Sequence, residues 1–206
     1  GVNVVFDSNG ATNNSIVVHG DLTINGSLVI GDTESLVTLD PGATLGAITK
    51  IERSETLANL HDNTYWSSPV LGSQIQTIFS GVNPSRIFEY KPGDSNPIYE
   101  IPGYENYVHW FNKPSGAMDR GYGYAAEGPA APVSTGDDYV SPLRHELTFI
   151  GVPNNGTFSI NTYFKGVTDQ GLENDNFNLI GNPYPTAINI ETFLTSNPVV
   201  SQVAIW

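Results

Sequence analysis

The run Asn182-Pro183-Tyr184-Pro185 limits what this chain can become more than any other stretch. Both prolines fix φ near about −65° and remove a backbone donor. Asn182 and Tyr184 each precede a proline, which pushes both towards extended conformations. The run is therefore nearly pre-shaped before anything packs on it. Upstream, Phe177, Leu179 and Ile180 read as a buried strand, and Gly181 supplies the freedom needed to enter the turn. Within residues 177–188 the only reactive group is the Tyr184 hydroxyl. The stretch reads as architecture: Tyr184 is expected to pack against a sheet with its hydroxyl bonded, and neither it nor Asn182 to touch a substrate.

The other strong pattern lies in residues 16–48. Apolar triplets (Ile16-Val17-Val18, Leu22-Thr23-Ile24, Leu28-Val29-Ile30) alternate with Gly/Asp/Asn corners, and glycines fall at 20, 26 and 31. Three short strands with three corners make one coil of a β-solenoid. Residues 16–33 would form one coil, and Leu36 would begin the next. The rival is an antiparallel meander with Asn25-Gly26 as a type I′ hairpin turn. Three-residue strands suit the coil better. Solenoid coils need neighbours to bury their faces, so this segment is expected to stack on further repeats or on the next domain.

Composition narrows the function classes. Lys plus Arg total 8 against 21 Asp plus Glu, a net charge of −13. That argues against nucleic acid, whose affinity comes largely from neutralised phosphates, and against anionic lipid. Charged residues are only 14% of the chain, well below the usual quarter, so Asn, Ser, Thr and Gly must supply the polar surface. There is no cysteine, which excludes disulfides, thiolate catalysis and Cys-ligated zinc. No apolar run is long enough to span a bilayer as a helix. The opening Gly-Val-Asn-Val-Val lacks a basic n-region and does not read as a signal peptide.

Downstream, the pattern is mostly strands. Residues 47–56 alternate, with a bulge suggested by Ile48 and Ile51; residues 65–70 form a strand stopped by Pro69. Ser73 and Gln76 make a capping box for a short helix bearing Ile75, Ile78 and Phe79. Residues 86–90 and 107–111 read as strands, and a short strand is expected at 121–126. Residues 145–152 and 157–164 alternate around Asn154-Asn155-Gly156, the strongest hairpin signal in the chain. Asn189 caps a helix over 190–196, and residues 201–206 read as a last, unpaired strand.

Candidate chemistry is sparse. Gly121-Tyr122-Gly123-Tyr124-Ala125-Ala126 matches a dinucleotide fingerprint in form, but prolines on both sides deny it the strand and helix it needs. His145-Glu146 opens like a zincin helix, yet Phe149 stands where the second histidine must be. Four histidines (His19, His61, His109, His145) are scattered. A glycoside hydrolase needs two facing carboxylates, and Glu89, Glu105, Glu127 and Glu146 are the acids to check. Asp137, Asp138, Asp169 and Asp175 are candidate ligands for a structural Ca²⁺, without EF-hand spacing; no other cofactor is expected. Tyr104, Tyr107, Trp110, Tyr122 and Tyr124 are candidates for stacking a glycan, although such residues also fill half-buried sheets.

Five phrases occur in order: Tyr65-Trp66-Ser67-Ser68-Pro69-Val70, Arg86-Ile87-Phe88-Glu89-Tyr90, the run from Gly121 to Pro129, the run from Phe149 to Thr157, and the run from Asn178 to Pro185. Together they resemble a module of large secreted and cell-surface proteins of Bacteroidota, exported by the type 9 secretion system. The resemblance implies export, surface display and adhesive or gliding-associated roles, with secretion machinery or other surface proteins as partners. It brings no catalytic motif. Such modules continue into further strands and a sorting domain, so this one is expected to continue beyond Trp206. The expected architecture is all-β: a short β-solenoid-like segment (1–50) packed on a β-sandwich, jelly-roll-like and incomplete at its C-terminal edge (51–206). The expected function is a non-enzymatic structural or adhesive module at the bacterial cell surface, with glycan binding as the alternative and a hydrolase third.

Overall fold

A computed structural model describes residues 14–46, 49–94, 109–133, 136–164 and 177–205. The chain is mostly strand, with little helix. Strands β1 (Ser15–Val18) and β2 (Leu28–Ile30) come from the first and third triplets and β3 (Ser35–Thr38) from the run begun by Leu36, whereas Leu22-Thr23-Ile24 makes only an isolated bridge through Leu22; β4 (Thr49–Asn59) follows. Pairing among them is parallel. Ser15 lies opposite Ser35, Leu22 opposite Leu45, and Leu28 opposite Thr49. The antiparallel meander therefore does not form, and Asn25-Gly26 is a corner, not a hairpin turn. Val18, Leu28, Ile30, Leu36, Leu45 and Ile51 point inward and are buried. Corner acids hold the bends: Thr44 N–H donates to Asp21 (2.7 Å), Gly42 N–H to Asp40 (2.8 Å) and Ser54 N–H to Asp32 (2.7 Å).

Strand β4 joins two kinds of pairing. One edge takes β2 in parallel; the other takes β9 (Asp138–Gly151) antiparallel, with Ile51 opposite Phe149 and Arg53 opposite Leu147. The sheet β2-β4-β9 thus crosses from the N-terminal segment into the rest of the chain. Its register shifts between Leu57 and Asn59, not at the expected bulge, of which Ile48 lies outside the described residues.

A second sheet runs β5 (Thr64–Trp66), β8 (Tyr124–Ala126), β6 (Ile87–Tyr90), β7 (Trp110–Asn112), all antiparallel. Its inner face carries Thr64, Trp66, Ile87, Tyr124 and Ala126, all buried. The two large sheets share one core, in which the Trp66 and His145 rings meet edge to face at 5.8 Å. Among the described residues there are two short α-helices, α1 (Ile75–Ile78) and α2 (Ile190–Ser196). No helix among the described residues is long and apolar enough to cross a membrane.

Local expectations fail where distant partners intervene. The hairpin across Asn154-Asn155-Gly156 does not form, because residues 157–164 make no strand. Asn154 instead donates to the Ser68 and Pro183 carbonyls (3.0 and 2.9 Å), and Asn155 to those of Asp40 and Ala43 (3.0 and 3.1 Å). The capping box is also absent: α1 has no side-chain cap, and the Ser73 hydroxyl accepts from Ser68 (2.7 Å) inside the core. Residues 201–205 form no strand. Helix α2 keeps its expected cap, with Asn189 accepting from Thr192 N–H (2.8 Å).

Candidate functional site

The run 181–185 seats where several elements converge. Ser67 O–H donates to the Asn182 carbonyl (2.5 Å), Leu36 N–H to that of Pro185 (2.9 Å), and Tyr184 O–H to that of Gly156 (2.8 Å). The Tyr184 ring packs on Phe158 at 5.4 Å. Tyr184 is thus anchored at both ring and hydroxyl: the hydroxyl is bonded as expected, while the ring rests on Phe158, which lies outside the strands. Beside it lies an open cleft of about 380 Å³ between β3, the 154–157 turn and residues 184–186. Thr38, Asn155, Thr157, Tyr184 and Thr186 supply its polar lining, with no charged side chain. No motif flagged this cleft, because its walls come from three distant stretches.

The three described candidate glutamates each engage cations. Glu89 meets Lys91 (3.0 Å) and Lys113 (3.4 Å); Glu146 meets Arg144 (3.4 Å); Glu127 takes Arg86 and His61. Glu105 lies outside the described residues. Of the calcium candidates, Asp137 contacts His61 Nε2 (3.1 Å) and Asp138 accepts from Asn59 (2.8 Å). Those neighbours are turned to different partners; Asp169 and Asp175 lie outside the described residues. Among the described residues no group of three or more His, Asp and Glu is arranged to hold a metal.

The aromatic candidates separate. Tyr124 is buried in the inner face, and its hydroxyl accepts from Asp119 N–H (2.7 Å); burial pushes its pKa up to about 12. Tyr122 is partly exposed and bridges to Ile180. Tyr104 and Tyr107 lie outside the described residues. Trp110 sits on the outer face between Tyr90 (5.1 Å, edge to face) and Tyr65 (6.2 Å). Tyr65 and Tyr90 were not singled out from sequence, although period-two alternation along β5 and β6 places them on that face.

A family model described as "Domain of unknown function (DUF8693)" matches residues 8–206. The chain belongs to the DUF8693 family. No curated protein and no solved structure matches it. The site of this DUF8693 chain therefore has to be read from its own groups.

Two histidines give that chain opposite pH responses. His61 is held through Nδ1 by Glu127 (2.8 Å) and through Nε2 by Asp137. The hydrogen bond to Glu127 raises its pKa above the ordinary 6.5. A raised folded value means its contribution is complete below the unfolded pKa and is lost as pH rises through the folded one. His145 is buried against Trp66, and desolvation lowers its pKa. Its contribution is complete above the unfolded pKa and is lost as pH falls through the lower folded one. Thermal melts between about pH 5 and about pH 8 should therefore show loss on both sides of the ordinary histidine range. His145→Gln should flatten the acid limb and His61→Gln the alkaline limb; limbs indifferent to both changes would reject the assignment.

Proposed function

We propose that this chain is a non-enzymatic structural and adhesive module of an exported bacterial surface protein, carried as type 9 secretion cargo. In this reading the N-terminal strands are two coils of a β-solenoid, and the remainder is a jelly-roll-like sandwich. The observation that carries it is the shared strand β4, whose two edges join parallel β2 to antiparallel β9 in one hydrogen-bonded ladder. Such a ladder suits a rigid stalk that displays a surface. The cation-poor, neutral-polar composition and the engagement of the described candidate glutamates by cations fit display better than hydrolysis. The test is a pull-down with the full-length protein, together with binding of the purified chain to cell and glycan-coated surfaces. Recovery of surface or secretion proteins and retention without turnover of a glycoside panel support the reading. Turnover abolished by Glu127→Gln would replace it with the hydrolase.

A second reading, glycan binding, is favoured by the Tyr65–Trp110–Tyr90 cluster on the outer face. Apolar sugar faces stack on such rings. Titration of soluble glycans against tryptophan fluorescence should give a saturable change, and Trp110→Ala should weaken it at least about tenfold, a cost near 1.4 kcal/mol. Unchanged affinity in that variant would remove this reading.

A further inference from the structure

Strand β9 ends the sheet β2-β4-β9, so β4 covers one of its edges. Among the described residues, backbone bonds reach its other edge near the two ends. There Val140 N–H donates to the Pro132 carbonyl (3.3 Å), and Leu71 N–H to that of Val152 (2.9 Å). Val152 therefore turns its backbone outward. By the two-residue alternation of a strand, so do Ile150, Thr148, Glu146 and Arg144. The same residues lie on the solvent face, where the Arg144 and Glu146 side chains are 60% and 44% exposed.

We propose that this edge is a self-association surface: β9 pairs antiparallel with β9 of a second copy about a two-fold axis at His145. In that register Arg144 stands opposite Glu146 of the partner subunit, and Glu146 opposite the partner's Arg144. Opposite charges directly across a ladder attract, and like charges repel. An axis at Arg144 would set arginines face to face, and one at Glu146 would do the same with glutamates. The sequence of the strand therefore selects the His145 register and an isologous dimer. The pairing is short. Pro142 has no N–H, falls opposite Thr148 of the partner subunit, and ends the ladder there. The dimer is accordingly a weak, concentration-dependent one.

Sedimentation equilibrium of the whole chain from micromolar to millimolar concentration tests this. A monomer–dimer equilibrium is expected, lost in Arg144→Glu and in Glu146→Arg, and restored when both changes are combined. The chain has no native cysteine, which allows a second measurement that leaves the charged pair in place. Chains carrying Pro142→Cys, mixed with chains carrying Thr148→Cys, should form a disulfide-linked heterodimer on oxidation, while either alone should not. A monomer at every concentration, a dimer indifferent to the single charge reversals, or cross-linking equal in the mixed and separate samples would each overturn the proposal.

Discussion

Arg53→Met should lower the stability of the fold by about 4 kcal/mol, more than most single substitutions. Its guanidinium is half-buried and reaches carbonyls from three parts of the chain. Nη1 donates to Gly31 (2.9 Å) and Glu52 (2.6 Å), and Nη2 to Glu34 (3.2 Å) and Pro185 (3.5 Å). It thereby ties the β2–β3 corner to β4 and to the end of the proline run. Burial lowers its pKa, and the nearby Asp32 and Glu34 charges partly oppose that shift. Methionine keeps much of the volume but leaves those acceptors without their charged donor. A charged hydrogen bond contributes about 1.5–3 kcal/mol, and an abandoned buried acceptor costs about as much again. Arg53→Lys should recover less than half of the loss, because one ammonium cannot reproduce the planar fork. Urea unfolding followed by circular dichroism measures both. A loss under about 1 kcal/mol for Arg53→Met would show the carbonyls to be satisfied by water instead.

Gly181→Ala should cost about 3 kcal/mol, at the upper end for overpacking. An added Cβ would stand 2.5 Å from the Tyr122 carbonyl oxygen and closer still to the Ser67 side chain. Neither obstacle yields easily. Gly181 N–H donates to the Gly121 carbonyl (2.9 Å), and Tyr122 is bridged to Ile180, so backbone lies on backbone here. The requirement is close approach; Gly181 is not among the positive-φ glycines. The melting temperature should fall by about 10 °C. Gly20→Ala is the control, since an added Cβ there meets nothing within 4 Å.

These residues also mark how far the sequence was readable. The triplets at 16–18 and 28–30 and the start of a further strand near Leu36 were legible because corners and apolar positions repeat within a few residues; the triplet at 22–24 makes only the Leu22 bridge. Helix α2 was legible because its cap, Asn189 to Thr192, is local. The false hairpin shows the opposite case. Asn154-Asn155-Gly156 has turn chemistry, but its amides are committed to Asp40, Ala43, Ser68 and Pro183. Strand β9 begins at Asp138, earlier than the expected start at 145, and Pro142 within it is tolerated on an edge. Of the site, Trp110 was legible as an aromatic on a strand. Its neighbours Tyr65 and Tyr90 were not, because only sheet order brings β5, β6 and β7 together. The cleft beside Tyr184 was invisible for the same reason.

The dual pairing of β4 also sets an order of assembly. Its parallel partner β2 is near in sequence, with only β3 and its flanking corners between them, since Leu28 meets Thr49. Its antiparallel partner is distant, since Thr49 meets Gly151. Loop closure over the longer span carries the greater entropic cost before any contact rewards it. The near ladder is therefore the cheaper nucleus, and the far one waits for most of the chain to be present. During synthesis, β4 emerges with one edge covered and the other bare until β9 follows, and in that interval the bare edge is the segment most exposed to mispairing.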